Sequence, residues 1–201
     1  MTTTCPQCGA QLETSGAVQV VVCEYCNAYS LVYQGELSLA GKVAPLAELP
    51  SRLEVGRTGQ LLGRPFTALG RVRYDYEDGT WDEWSLFFED GSLGWLQDDE
   101  GELTFFSERV QLGPPGELGL DLGSVGLGAT VSVEGRPVFV SELGEASLIG
   151  GQGQITSYLS VGEHFDYVDG VLDGQQAIVM ATARMTVLFV GRALEAQDLT
   201  V

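Results

Sequence analysis

One stretch of the chain places apolar or small side chains at its even positions and mostly polar ones between them: Phe66-Thr67-Ala68-Leu69-Gly70-Arg71-Val72-Arg73-Tyr74-Asp75-Tyr76. A period of two residues is typical of a β-strand with one buried face. Tight turns are then predicted at three acidic, glycine-containing sites, Glu77-Asp78-Gly79, Glu89-Asp90-Gly91 and Asp98 to Gly101. Because such residues supply the positive backbone angles of hairpin turns, this part of the chain is predicted to be a meander of short antiparallel strands.

The second half of the chain echoes the first at an offset of 72 residues. Gly56, Gly63, Arg64 and Pro65 correspond to Gly128, Gly135, Arg136 and Pro137. The glycine- and proline-rich run from Leu112 to Gly116 separates the two copies. We therefore predict two related β-lobes, at residues 51–112 and 117–201, in a mainly β architecture of barrel-like or sandwiched sheets.

The N-terminus carries a metal-binding pattern. All the cysteines of the chain fall into two Cys-x-x-Cys pairs, namely Cys5, Cys8, Cys23 and Cys26. Two such pairs can complete a tetrahedral four-sulfur shell around one structural zinc ion, with no open position for a substrate. The sequence thus predicts a small zinc ribbon at residues 1–33, followed by a linker at 34–50. The alternatives are a redox dithiol and a pair of disulfides.

Acidic residues dominate the composition. The chain has 28 Asp and Glu against 10 Lys and Arg, a formal net charge of -18, and residues 1–41 contain no Lys or Arg. A surface of this sign repels phosphate backbones, so nucleic acid is not an expected partner. The charged residues, Arg71 and Arg73 among them, are expected on the solvated faces of strands and in turns. No leader-like N-terminus and no apolar window of membrane-spanning length is present, and we expect a cytoplasmic protein.

Reactive groups are scarce. His164 is the only histidine, every cysteine is assigned to the metal, and no phosphate-binding loop is visible. We therefore expect no enzymatic activity. A possible surface for a polyamine or a basic peptide combines indoles with carboxylates, which suit cationic groups, at Trp81, Asp82, Glu83, Trp84 and Trp95. The alternative is that the tryptophans are core residues and the acids lie in turns.

Several motifs resemble those of the bacterial family known as domain of unknown function 4178. They are Val55-Gly56-Arg57-Thr58-Gly59, Trp81-Asp82-Glu83-Trp84-Ser85-Leu86 and Asp90-Gly91-Ser92-Leu93-Gly94-Trp95-Leu96, within a resemblance that covers Ser51 to Leu194. A zinc knuckle pair is a common N-terminal companion of this family. At Gly153-Gln154-Ile155-Thr156 the chain departs from the Gly-Glu-Leu-Pro of the family pattern.

The resemblance implies no established enzymatic activity. It implies a membrane-stress setting, since the gene neighbourhoods include phage-shock-protein-A-like membrane-remodelling proteins and polyamine-synthesis enzymes. Together with the closed metal site, this favours a non-catalytic protein-interaction module, with binding of a cationic ligand such as a polyamine as the alternative.

Overall fold

A computed structural model describes residues 2–15, 18–77, 79–157 and 161–201. Its strands are β1 (Thr2–Thr4), β2 (Gln11–Glu13), β3 (Val20–Val22), β4 (Ala28–Tyr33), β5 (Glu36–Lys42), β6 (Thr58–Leu61), β7 (Arg64–Tyr76), β8 (Gly79–Phe88), β9 (Leu93–Asp99), β10 (Glu102–Leu112), β11 (Thr130–Val133), β12 (Arg136–Ile155), β13 (His164–Leu172), β14 (Gln175–Ala181), β15 (Thr186–Ala193) and β16 (Leu199–Thr200). The helical segments are short: α1 (Pro115–Leu118) and 3-10 turns at Leu122–Ser124 and Ala196–Asp198. No helix among the described residues is long and apolar enough to cross a membrane.

Eight strands close into an antiparallel barrel. Their order is β7-β8-β9-β10-β15-β14-β13-β12, and pairing of β12 with β7 completes the ring. The closing contact brings Gly153 opposite Gly70, with a Cβ at Gly70 falling 2.4 Å from the Gln152 carbonyl oxygen. Glycine is required there because two backbones approach each other closely. The predicted mainly β, barrel-like architecture is confirmed.

Both halves of the barrel begin with the same backbone motif. Thr58 pairs with Thr67 in the β6–β7 hairpin, and Thr130 pairs with Phe139 in the β11–β12 hairpin. A bulge follows Ala68 in one copy and Val140 in the other. Each equivalent pair is 72 residues apart in the sequence, so the offset found there reflects a repeated structure. The two copies supply four strands each to one barrel.

The inner face of the barrel is rich in aromatic side chains. The Trp81 ring on β8 lies 5.5 Å, centroid to centroid, from the Tyr167 ring on β13, although two strands separate β8 from β13 in the wall. Only side chains that point into the barrel can meet in this way. The outer face is covered by each half's own hairpin, with Leu61 of β6 packed on the first half and Val133 of β11 on the second.

The N-terminal ribbon is joined to the barrel wall by strand pairing. β3 pairs with the end of β12, with Val22 opposite Gly153 and Val20 opposite Ile155. β4 and β5 extend that sheet, while β1 and β2 form a separate hairpin. Residues 34–50, predicted as a linker, contain β5, and the ribbon sheet therefore continues to Lys42. Of the predicted turns, the one at Glu77-Asp78-Gly79 includes Asp78, which lies outside the described residues.

Candidate metal centre and ribbon cleft

The two cysteine knuckles have the same backbone hydrogen bonds. The Gly9 amide donates to the Cys5 carbonyl and the Asn27 amide to the Cys23 carbonyl, both at 2.9 Å. Gly9 and Asn27 have positive φ angles of 77° and 56°, respectively. Glycine and asparagine are the residue types that best tolerate this left-handed conformation.

The knuckles bring the four sulfurs together. All four Sγ atoms lie within 4.8 Å of one another, and both the Cys5–Cys26 and the Cys8–Cys23 Sγ separations are 3.8 Å. No disulfide links them. The four cysteines are therefore placed to bind one metal ion.

The local environment shifts the pKa values of Cys5 and Cys23 in opposite directions. Burial opposes ionisation of Cys5, but hydrogen bonds from the Cys8 and Gln7 amides lower the pKa of Cys5 to about 7. Burial raises the pKa of Cys23 to about 12, and the neighbouring thiols of Cys26 and Cys5 add to that rise. Four thiolates this close together need a positive charge at their centre to ionise at neutral pH.

The predicted cationic-ligand surface is not an exposed surface. Trp81, Asp82, Glu83 and Trp84 are all buried, since they lie in a barrel strand covered on both faces, and Trp95 is partly buried. Successive residues of β8 point to opposite sides of the wall. Trp81 and Glu83 point into the barrel, whereas Asp82 and Trp84 lie on its outer face under the ribbon cleft.

Asp82 is engaged by two buried arginines. Its carboxylate accepts hydrogen bonds from Arg71 Nη1 at 2.7 Å and from Arg73 Nε at 2.6 Å. Arg73 also donates to the Ala47 carbonyl, and Arg71 to the Gln152 side chain. The expectation that Arg71 and Arg73 lie on a solvated face is therefore wrong, because both are buried, with Ala47 packed against Arg73 and Gln152 bound to Arg71. Alternating polarity alone does not distinguish a solvated arginine from one that is buried and paired.

A cleft of about 810 Å³ separates the ribbon from the outer wall of the barrel. Its exposed apolar side chains include Tyr25 of the second knuckle, Leu49 and Val55. Four glutamates line it, at positions 13, 24, 48 and 54. Arg71 is the only cation among its described lining residues, and Asp82 already holds that charge. Sequence reasoning missed this cleft, although the apolar Leu46 and Leu49 of the predicted linker, and Leu53 just after it, were a signal of packing.

The family model for the domain of unknown function DUF4178 matches residues 54–196, more than two thirds of the chain. The chain belongs to this family. The match contains all eight barrel strands, so the DUF4178 domain corresponds to the closed barrel with its covering hairpins. The four cysteines lie before it. The comparisons with curated proteins and with solved structures gave no match.

Proposed function

We propose that the protein is a non-catalytic interaction module that holds a basic segment of a partner protein in the cleft between ribbon and barrel. The observation that carries the proposal is the cleft itself, which combines exposed apolar side chains with four glutamates. Lys and Arg side chains would pair with the glutamates at the rim, and apolar partner residues would cover Tyr25, Leu49 and Val55.

Zinc is the metal that we assign to the four cysteines. In a tetrahedral shell with metal–sulfur bonds of about 2.3 Å, neighbouring sulfurs lie about 3.8 Å apart. The Cys5–Cys26 and Cys8–Cys23 Sγ separations of 3.8 Å are consistent with this geometry. The ion would be structural: it would hold Tyr25 and Glu24 of the second knuckle at one wall of the cleft.

The setting that we propose is a cytoplasmic membrane-stress assembly. Its candidate partners are membrane-remodelling proteins like phage-shock protein A, which the family resemblance suggests. A polyamine is the alternative occupant of the cleft, since the same glutamates would attract it. The acidic balance of the chain argues against nucleic acid in this role.

A peptide-binding assay tests the proposal. Fluorescence anisotropy of a labelled Lys/Leu-rich peptide should show saturable binding that weakens with added salt, while a Glu/Leu-rich peptide should not bind. The double variant Glu48→Gln/Glu54→Gln should weaken binding by at least about fivefold. Spermidine, added as a competitor, shows whether a polyamine occupies the same site.

A variant with the same change in net charge is the control. Glu117 and Glu134 lie outside the cleft, in the second half of the chain. Glu117→Gln/Glu134→Gln should leave peptide affinity within about twofold of the unmodified protein. Equal losses in both double variants would indicate attraction by net charge alone and would contradict a cleft-specific site. If only the cleft variant loses affinity, crosslinking in the native host would identify the partner.

A further inference from the structure

A second cavity lies inside the barrel, on the opposite side of the wall from the ribbon cleft. It measures about 70 Å³. Seven of the eight barrel strands contribute to its lining, including Tyr74 on β7, Glu83 on β8, Arg109 on β10 and Met180 on β14. At roughly 10–15 Å³ of such space per water, it has room for about five waters or one compact organic molecule.

Among the described residues, the polar side chains that line this cavity without a hydrogen-bond partner include Tyr74, Glu83 and Arg109. Glu83 is only 8% exposed, and neither its carboxylate nor the Tyr74 hydroxyl forms a hydrogen bond with any described residue. The Arg109 Nε is buried and has no hydrogen-bond partner among the described residues. Glu83 and Arg109 do not form an ion pair with each other in this part of the chain. Buried groups of this kind normally have partners.

The Arg109 charge is held in place by aromatic rings. Its guanidinium carbon lies 5.8 Å from the Trp95 ring centroid and 5.5 Å from that of Phe189. The neighbouring Glu108 does not neutralise it, because its carboxylate binds Arg136 at 2.6 Å on the other side of the wall. The cavity is thus lined by the Glu83 carboxyl group and the Arg109 guanidinium, which are not joined to each other, with Glu163 as a second acidic side chain in the lining.

We propose that this cavity binds a small zwitterion, whose carboxylate contacts Arg109 and whose ammonium group contacts Glu83 and the Tyr74 hydroxyl. The apolar lining, which includes Met180, Val187 and Phe189, would cover the short carbon chain between the two charges. The volume limits the ligand to about five to seven non-hydrogen atoms, the size of glycine, alanine or β-alanine. This inference is independent of the proposed function, since the ribbon cleft shares no lining residue with the cavity.

The site has a defined pH dependence. Burial raises the pKa of Glu83 to about 7, and the Arg109 charge opposes that rise. Glu163 and the Tyr74 hydroxyl are the other titratable groups that line the cavity. An ammonium group prefers the ionised carboxylate, so the affinity for the zwitterion should increase as the pH rises through 7.

Calorimetric titration of the full, metal-loaded chain tests the proposal. The probes are glycine, alanine and β-alanine, with acetate and ethylammonium as analogues that carry one charge each. At least one zwitterion should bind saturably and at least about tenfold more tightly than either analogue. The absence of saturable binding by all three zwitterions, or equal binding of a single-charge analogue, would overturn the proposal.

Three variants locate the binding. Glu83→Gln and Arg109→Gln should each weaken zwitterion binding by at least about tenfold, and Glu83→Gln should abolish its pH dependence around 7. Glu108→Gln is the matched control on the same strand as Arg109 but on the outer face, and it should change affinity by less than about twofold. If Arg109→Gln loses its folded circular dichroism spectrum, Glu83→Gln and the probe series decide the outcome. Unchanged affinity in Glu83→Gln would contradict the proposed site.

Discussion

In the first half of the barrel Arg73 on β7 lies opposite Asp82 on β8, whereas the equivalent pair in the second half is Glu145 opposite Asp166. Arg73 and Asp82 are buried, while Glu145 and Asp166 are exposed. The two copies share the hairpin, the bulge and the strand register. The two halves therefore share a backbone but differ in the side chains at this pair and in whether another segment of the chain shields the pair from solvent.

The covering segment accounts for this difference. In the first half, the Ala47 carbonyl accepts a hydrogen bond from Arg73 Nη1 at 2.6 Å. A buried charge needs a partner, and Asp82 supplies one. In the second half nothing covers the pair among the described residues, so two carboxylates can face each other in water at little cost. The same backbone motif thus has an outer face covered by another segment of the chain in the first half and a solvent-exposed face in the second.

Removal of the metal should have the largest effect, because it would unfold the ribbon, which is attached to the barrel through β3 and leads directly into the segment around Ala47. Metal binding contributes on the order of 10 kcal/mol to the folding of ribbons of this size. In hydrogen exchange, EDTA should abolish amide protection in residues 2–42 and raise exchange near Arg71 and Arg73. Amide protection of β13 and β14 should persist in EDTA. Addition of zinc should restore the protection lost in the ribbon and near Arg71 and Arg73. Unchanged exchange of the ribbon in EDTA would contradict a metal-stabilised ribbon.

Asp82→Asn should destabilise the protein by about 3–5 kcal/mol, because it leaves two buried guanidinium groups without their counter-charge. Urea unfolding followed by circular dichroism measures this change. The matched control is Asp166→Asn at the equivalent place in the second half. The partial desolvation of Asp166 and the neighbouring charges of Glu145 and Asp121 raise its pKa although the side chain is exposed, so its replacement should be neutral or slightly stabilising. Similar losses for both variants would contradict the distinction between the two halves.

Gly70→Ala should cost about 1–3 kcal/mol, since the new Cβ would meet backbone atoms of β12. It would fall 2.4 Å from the Gln152 carbonyl oxygen and 2.6 Å from the Gln154 nitrogen. The equivalent residue in the second half, Glu142, already carries a side chain, which shows that the constraint belongs to the closing contact. Gly116→Ala, whose Cβ would have no neighbour within 4 Å, should change urea stability far less.

Asp169→Asn should alter the pH dependence of stability by about 1 kcal/mol at pH 8, allowing for its partial exposure. Burial and the charges of Glu142 and Asp99 raise the pKa of Asp169 from 3.8 to about 7. A raised carboxyl pKa means that the folded state holds the proton more tightly, so stability falls as pH rises from about 4 to 7. The variant should flatten this decline and be more stable than the unmodified protein at pH 8. Urea midpoints at pH 5 and pH 8 measure the effect, and an unchanged slope would contradict it.

Glu145→Lys should have the smallest effect, a gain of about 0.2–0.5 kcal/mol from a new exposed pair with Asp166. The gain should disappear at high salt, because exposed ion pairs are screened. A gain that persists at high salt, or one as large as the loss in Asp82→Asn, would show that covering does not set the strength of these pairs.

Much of the fold follows from local patterns. Cysteine spacing predicted that four sulfurs lie close enough together to bind a metal ion, and strict alternation with acidic glycine turns predicted the strand meander. The odd positions from Ala177 to Phe189 form one apolar series, and we interpret that series as a single inward face. The structure instead divides it between β14 and β15, with Val179 on the outer face and Phe189 on the inner one. Because the odd positions are apolar in both strands, the alternation does not reveal the turn at which they change from the outer face to the inner one.

The remaining features depend on pairing between distant residues. Closure of the barrel brings Gly70 to Gly153, and the burial of Arg73 depends on Ala47 and Asp82 together. Neither is encoded in the residue's own neighbourhood. The separated Glu83 and Arg109 are equally invisible in the sequence, because each looks like an ordinary surface charge until the strands curve around them.

Strand β12, from Arg136 to Ile155, pairs in turn with β11, β13, β7 and β3. The end of this strand therefore joins the ribbon to the barrel through backbone pairing with β3. The strand that closes the barrel between its two halves is thus also the strand that orients the cysteine knuckles, so a change in its register would alter both the closure and the placement of the ribbon.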